Sequence, residues 1–205
     1  LFKGLSPWMQ KLPGGLIHVN VVGCALFAAI SGSSAATVAT VGKMSIPELR
    51  KRKYPEKILL GSLAGSGTLG LLIPPSIILI IYGVAVQESI AKLFIAGIIP
   101  GIMIALIFMS YVIIWSLINK KEMPKILEEY SFLEKVKRSK QLLPVILLIL
   151  AVIGSIYTGI ATATEAASLG VVGALILSYF QKSLTLETFK SSLLGATKTS
   201  CMIAF

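Results

Sequence analysis

Long uncharged runs alternate with short basic segments along this chain. The runs are Leu12–Gly42, Ile58–Gln87, Leu93–Asn119, Leu142–Thr164 and Ala166–Gln181. A helix needs ~20 apolar residues to cross a bilayer, and every run reaches about that length except the last, which is marginal. The pattern predicts an all-α polytopic membrane protein. Crossings are expected over Ile58–Val86, Leu93–Leu117, Leu142–Ile156 and Leu169–Phe180, with a further one starting near Thr185.

Two of the runs are interrupted. The first carries Ser31-Gly32-Ser33-Ser34 at its centre, flanked by Ala and Thr. Such helix-weakening residues in a long uncharged run fit backbone that lines a protein-walled cavity, the usual place for a transporter site. Two topologies are open. A single tilted crossing would put Lys3 and Lys11 opposite the Lys43–Lys57 cluster, whereas a re-entrant hairpin over about 14–42 returns every cation to one side. The charge distribution and the Ser/Gly break both favour the hairpin. The second interruption lies in 58–86, where Gly61, Gly65, Gly67 and Gly70 precede Pro74-Pro75-Ser76. Two prolines remove two backbone donors and bias the residue before them away from helix. The expected result is an unwound loop whose carbonyls near Gly70–Pro74 are free. Pro100-Gly101, by contrast, reads as a kink for packing.

The polar insertions set the orientation. Met44–Lys57, with Pro47 and Pro55, reads as one basic loop, and 119–141 as another. Connections on the opposite side are nearly neutral, so the basic loops 43–57 and 119–140 are expected to be cytoplasmic. In the second loop Ile126, Leu127, Tyr130, Leu133 and Val136 recur at helical spacing among Lys, Arg and Glu. This is an amphipathic connector, lying on the membrane surface or docked on protein. The chain thus divides into a first-repeat part over 1–118, comprising hairpin, broken crossing 58–86 and return crossing 93–118. The connector 119–141 follows, and then the start of a second repeat over 142–205. With no initiator Met and an end inside an apolar run at Phe205, it reads as an internal fragment.

Composition narrows the chemistry. Hydrophobic residues make up 55% and charged residues 14%, well short of the roughly 25% charged residues of soluble domains. Most of the cations behind the net charge of +10 fall in the basic loops, with Lys182 and Lys190 flanking a third connection, a distribution that argues against a nucleic-acid partner. Gly42-Lys43 lacks the rest of a phosphate-binding loop, so ATP hydrolysis has no support. His18 is the only histidine, and a pairing with Ser33 or Ser34 fails because about 15 helical residues separate them by roughly 22 Å. No enzyme is expected. Cys24 and Cys201 lie in apolar segments and read as buried free thiols. There is no Asp, and no carboxylate falls in either interrupted segment. Glu165 alone would suit intramembrane proton coupling, and a helix start explains it equally well. Hydroxyls and unwound carbonyls suit Na⁺ instead. The helix that starts after Ser33-Ser34 would aim its N–H groups at an anionic substrate, with hydroxyl donors from Ser33, Ser34 and Thr37.

Several segments together resemble a known family. They are GGLIHVNVVGCALFAAISGSSAATVATVG, a basic loop, GLLIPPSIILIIYGVA, SIAKLFIAGIIPG and TGIATATEAA, in that order over about 14–205. The combination is similar to the large, DctM-like membrane subunit of tripartite ATP-independent periplasmic (TRAP) transporters of the ion-transporter superfamily. The resemblance implies an inverted-repeat, elevator-type transporter. It implies a Na⁺ site formed by Ser31, Gly32, Ser33, Gly70, Leu72 and Pro74, and substrate contacts from Ser33, Ser34, Thr37, Pro75 and Ser76. Na⁺ would be the coupling ion, with no other cofactor. The implied partners are a small DctQ-like membrane subunit, a periplasmic binding protein and an organic acid, with the chain in the bacterial inner membrane. In the stretch YTGIATATEAA, Ala163 stands where the family usually has Pro. A binding-protein-independent Na⁺/dicarboxylate symporter and a non-transporting scaffold are the alternative readings.

Overall fold

The structure, a computed structural model, describes residues 2–124, 131–140 and 142–204. These residues form ten α-helices with 3-10 turns between some of them and no strand. They fall into two compact units, Leu1–Ile149 and Leu150–Phe205.

In the first unit, α1 (Phe2–Met9) leads through a Pro13-Gly14-Gly15 corner into α2 (His18–Ser31). Tight geometry makes that corner glycine-dependent. Gly15 has φ +53, and a Cβ there would sit 2.5 Å from the Tyr54 hydroxyl, which accepts the Leu16 N–H at 3.0 Å. Burial pushes the Tyr54 phenol above its ordinary pKa, while the Leu16 N–H opposes that shift. α2 ends at Gly32 in the left-handed region, the usual helix-ending role of glycine. α3 (Ser34–Lys51) returns alongside α2, so the two make a helical hairpin.

The second arm of that hairpin is longer than the sequence pattern indicates. Residues 43–51, expected as part of a basic loop, continue α3, and the turn is confined to 52–55 before α4 (Glu56–Gly67). Pro47 sits inside α3 with its ring exposed, so its missing N–H costs one helical bond without disturbing the packed face. That face is Val41, Ser45 and Leu49, all buried at four-residue spacing. The cations Lys43, Arg50 and Lys51 lie on the exposed side, with Arg50 paired to Glu56 at 2.7 Å.

Three apolar clusters fill the hairpin from its open end to its tip. Leu16, Ile17, Val19, Leu49, Ile58, Leu59 and Val112 close the base. Cys24, Val41 and Leu63 join α2, α3 and α4 at mid-length. Val21, Ala28 and Leu69 pack against Ile73, Ile104 and Phe108 towards the tip.

The second interruption is present. α4 ends at Gly67, a 3-10 turn covers Thr68–Leu71, and α5 (Ile77–Val86) begins only after Pro74-Pro75-Ser76, the Pro74–Pro75 peptide being cis. α5 alone is ten residues and ~15 Å long, too short to cross a bilayer. α6 (Ile90–Ile118), capped by the Ser89 hydroxyl, is 29 residues and long and apolar enough to cross; Pro100 lies inside it. After a 3-10 turn at Lys120–Glu122 comes α7 (Phe132–Ser139). Ile126, Leu127 and Tyr130 of the expected connector lie outside the described residues.

α8 (Leu143–Tyr157) carries the chain into the second unit. The connection there is shorter than the gap between the expected crossings Leu142–Ile156 and Leu169–Phe180, because α9 (Ala163–Phe180) already starts at Ala163. Thr162 and Glu165 form a capping box, each side chain bonding the other's backbone N–H. Ala163 thus occupies the first helical position, which accepts proline and alanine alike, so its departure from the family pattern leaves the local shape intact. α9 is also long and apolar enough to cross a membrane. On α10 (Leu186–Ala204), Cys201 is exposed, correcting the expectation of two buried thiols; Cys24 is buried.

Candidate functional site

The hairpin tip and the broken segment meet. A Cβ built at Gly70 would lie 2.8 Å from Ser33 C and Ser34 N and 2.9 Å from Ser33 O, so the Gly70 backbone rests directly on the Ser33–Ser34 peptide. A Cβ at Gly32 would lie 2.7 Å from the Pro75 carbonyl oxygen. The Ile77 N–H donates to the Gly32 carbonyl at 3.3 Å, a hydrogen bond across the two interruptions. One turn further along, Gly67 takes the Val38 side chain into a space that no larger residue leaves open. Glycine is needed here for close approach of backbone to backbone, and at Gly32 for φ +59 as well.

Around the tip three oxygens converge. The Thr37 hydroxyl donates to the Ser33 carbonyl at 2.7 Å, the Ser31 hydroxyl reaches the same carbonyl at 3.2 Å, and the two hydroxyls lie 2.9 Å apart. Ser33 Oγ turns the other way and accepts the Ala36 N–H at 3.4 Å, capping α3. Ala35 and Ala36 are exposed, so the first turn of α3 opens outward. A helix N-terminus presented like this favours negative charge.

Of the residues expected at a cation site, Ser31, Gly32, Ser33 and Gly70 come together. The Leu72 carbonyl and the Pro74 ring face elsewhere. A Cβ on Gly97 of α6 would lie 2.9 Å from the Leu72 carbonyl oxygen and 3.5 Å from the Pro74 ring. Of the expected substrate residues, Ser33 and Ser34 are half-buried at the tip, and Pro75 meets Gly32. Thr37 and Ser76 are fully buried. The Ser76 hydroxyl donates to the Leu71 carbonyl at 2.6 Å, so it ties the unwound loop together.

The sequence reading passed over the seat of this loop. Gly97 and Gly101 lie four residues apart on one face of α6, and a Cβ at Gly101 would meet Ile73 at 2.9 Å. This small-xxx-small pair is a common signal of close packing in membranes. Here it receives an unwound segment, which is why Pro100-Gly101 read as an ordinary kink.

His18 sits at the other end of the hairpin, fully buried, its Nε2 2.8 Å from the Pro13 carbonyl. α2 places it about 20 Å of helix away from Ser31. Among the described residues no three His, Cys, Asp or Glu side chains gather, so oxygens of backbone and hydroxyls are what the tip offers a cation.

A family model described as "Tripartite ATP-independent periplasmic transporter, DctM component" matches residues 8–205. The chain belongs to this family. Among DctM-family proteins, the C4-dicarboxylate TRAP transporter large permease protein DctM of Pseudomonas aeruginosa is 38% identical over 193 residues, 94% of this chain and 44% of that protein. The sialic acid TRAP transporter permease protein SiaT of Haemophilus influenzae is 37% identical over all of this chain and 33% of its own length. The ectoine/5-hydroxyectoine TRAP transporter large permease protein UehC of Ruegeria pomeroyi is 38% identical over 86% of this chain and 41% of its own length. The chain thus spans less than half of these relatives. As a member of the DctM family with helices of membrane-crossing length, it is an integral membrane protein.

Proposed function

We propose that the chain carries the first half of the transport machinery of a Na⁺-driven large permease, which imports a small organic acid across the bacterial inner membrane. A periplasmic binding protein delivers the substrate, and a small membrane subunit packs beside the permease. The observation that carries this reading is the junction of the Gly32–Ser34 tip with Gly70 and Pro75–Ile77. Two helix breaks that share a backbone hydrogen bond supply oxygens for a cation and an open helix N-terminus for an anion at one place. The coupling ion binds among Ser31, Ser33, Thr37 and the Gly70 loop, and the substrate carboxylate faces the first turn of α3. The substrates in the relatives' names, C4-dicarboxylate, sialic acid and ectoine, share a carboxylate. The hairpin and broken crossing move together as part of an elevator's transport domain, and a second, inverted repeat supplies the matching half.

The test is uptake by the full-length permease in proteoliposomes, with its small subunit, its binding protein and an imposed inward Na⁺ gradient. Uptake is expected to require both sodium and the binding protein, and to fall in Ser33→Ala. Uptake without the binding protein would establish the symporter alternative. Uptake driven by a proton gradient alone would overturn the sodium site and direct attention to Glu165.

A further inference from the structure

α7 is held by one edge and free along another. The Trp8 indole N–H of α1 donates to Ser139 Oγ at 2.8 Å. Phe132 meets the Trp8 ring edge-on at 6.3 Å between centroids, and Lys135 Nζ lies 5.6 Å from the centre of that ring. Phe132, Lys135 and Ser139 are the i, i+3, i+7 edge of the helix, so α1 grips α7 along its length. Behind this contact, Gly4 lets Leu142 in to 2.8 Å of where a Cβ would be, and Leu142 is buried in the base cluster. The helix is therefore fixed in place just before α8 begins at Leu143.

The adjoining apolar side chains are largely uncovered among the described residues of this unit. Leu133 is 79% exposed, Phe132 70% and Val136 40%, and Trp8 itself is 42% exposed. Lys137 and Lys140 flank this apolar strip, and with Lys135 and Arg138 they outnumber the single anion of the segment, Glu134, which is committed to the α7 capping box. The preceding 3-10 turn carries Lys120 and Lys121 with Glu122, a net charge of one further cation. A narrow apolar strip bordered by long flexible cations, next to a half-exposed Trp and within four residues of an apolar helix, has the features of a helix lying in a bilayer interface. The excess of cations selects headgroups of negative charge.

We infer that α7, braced by Trp8, is an interfacial arm that seats Phe132, Leu133 and Val136 in the acyl boundary and binds anionic phospholipid headgroups through Lys137 and Lys140. This rests on membrane integration alone and stands whether or not the sodium reading does. The test uses the full-length permease carrying Leu133→Cys, with all its native cysteines, Cys24 and Cys201 included, replaced by Ala, a nitroxide on the new thiol, and nanodiscs of phosphatidylcholine with or without phosphatidylglycerol. The label's accessibility to oxygen relative to a polar nickel reagent is expected to be several-fold above that of a label at Lys121→Cys. Phosphatidylglycerol should raise it further, and Lys137→Gln with Lys140→Gln should abolish that rise. Nickel accessibility equal to the Lys121→Cys control in both lipids would put α7 in water and overturn the proposal. A ratio that ignores phosphatidylglycerol, or a label shielded from both reagents, would also overturn it, the latter by showing a protein in the lipid's place. A label at Val136→Cys repeats the measurement if the first variant disturbs assembly.

Discussion

Proline occurs in the interior of two neighbouring apolar segments with opposite consequences. Around Pro74-Pro75 the α-helix gives way to a 3-10 turn and then to loop from Thr68 to Ser76, whereas α6 runs unbroken through Pro100. A single proline removes one donor, and the rest of the ladder can carry a kink. In 67–76 two prolines follow two glycines whose backbones are pressed against another segment, Gly67 on Val38 and Gly70 on Ser33–Ser34. The unwound backbone gains partners: Ser76 clamps the Leu71 carbonyl, and Ile77 bonds Gly32. α6 offers its proline no such partner, and its Gly97 and Gly101 serve the neighbouring break. A lasting break needs something to receive the freed backbone.

The largest effect is expected at Gly70→Ala, because its Cβ would meet backbone that cannot rotate aside. Uptake by the full-length permease should fall at least about tenfold, while size-exclusion chromatography shows the protein still folded; wild-type uptake would mean tip and loop do not need this contact. Gly97→Ala presses on the Leu72 carbonyl from the other side and should cost severalfold in uptake. Thr37→Val removes the hydroxyl on Ser33 O, a hydrogen bond worth about 1 kcal/mol, and should raise the sodium concentration for half-maximal uptake about fivefold. Pro100→Ala sharpens the contrast: uptake should stay within about twofold of the parent, since nothing is organised around that proline.

The smallest effect concerns Tyr54, away from both breaks. Its raised folded pKa means that the neutral phenol stabilises the fold below the ordinary tyrosine pKa, and that this contribution is lost as pH rises through the folded value. Tyr54→Phe should lower the thermal midpoint slightly at neutral pH and flatten its alkaline decline, without changing uptake.

Much of this arrangement was legible in the sequence where the signal is chemical. Ser31–Ser34 and Gly70–Ser76 announce their breaks because Gly, Ser and paired Pro are conspicuous in apolar runs. The length of α3 was not. Lys43, Pro47 and the Arg50–Lys53 cluster read as loop, and only the burial of Val41, Ser45 and Leu49 shows a helix that turns its cations outward. The partition of candidate oxygens was equally hidden. Leu72 sits beside Gly70 in sequence, yet its carbonyl faces Gly97, because a loop without helical period can send adjacent residues to opposite neighbours. Ser76 looked like an open hydroxyl and is an internal tie, a role that depends on the loop doubling back over five residues.

The bond from Ile77 N–H to the Gly32 carbonyl is the only described hydrogen bond joining the two breaks by backbone alone. Its amide is therefore a gauge. Deuterium enters Ile77 when this bond opens, so its protection reports the free energy of parting tip and loop. Followed with and without sodium, that one proton reports whether the ion closes the gap, in a protein that need not move any cargo at all.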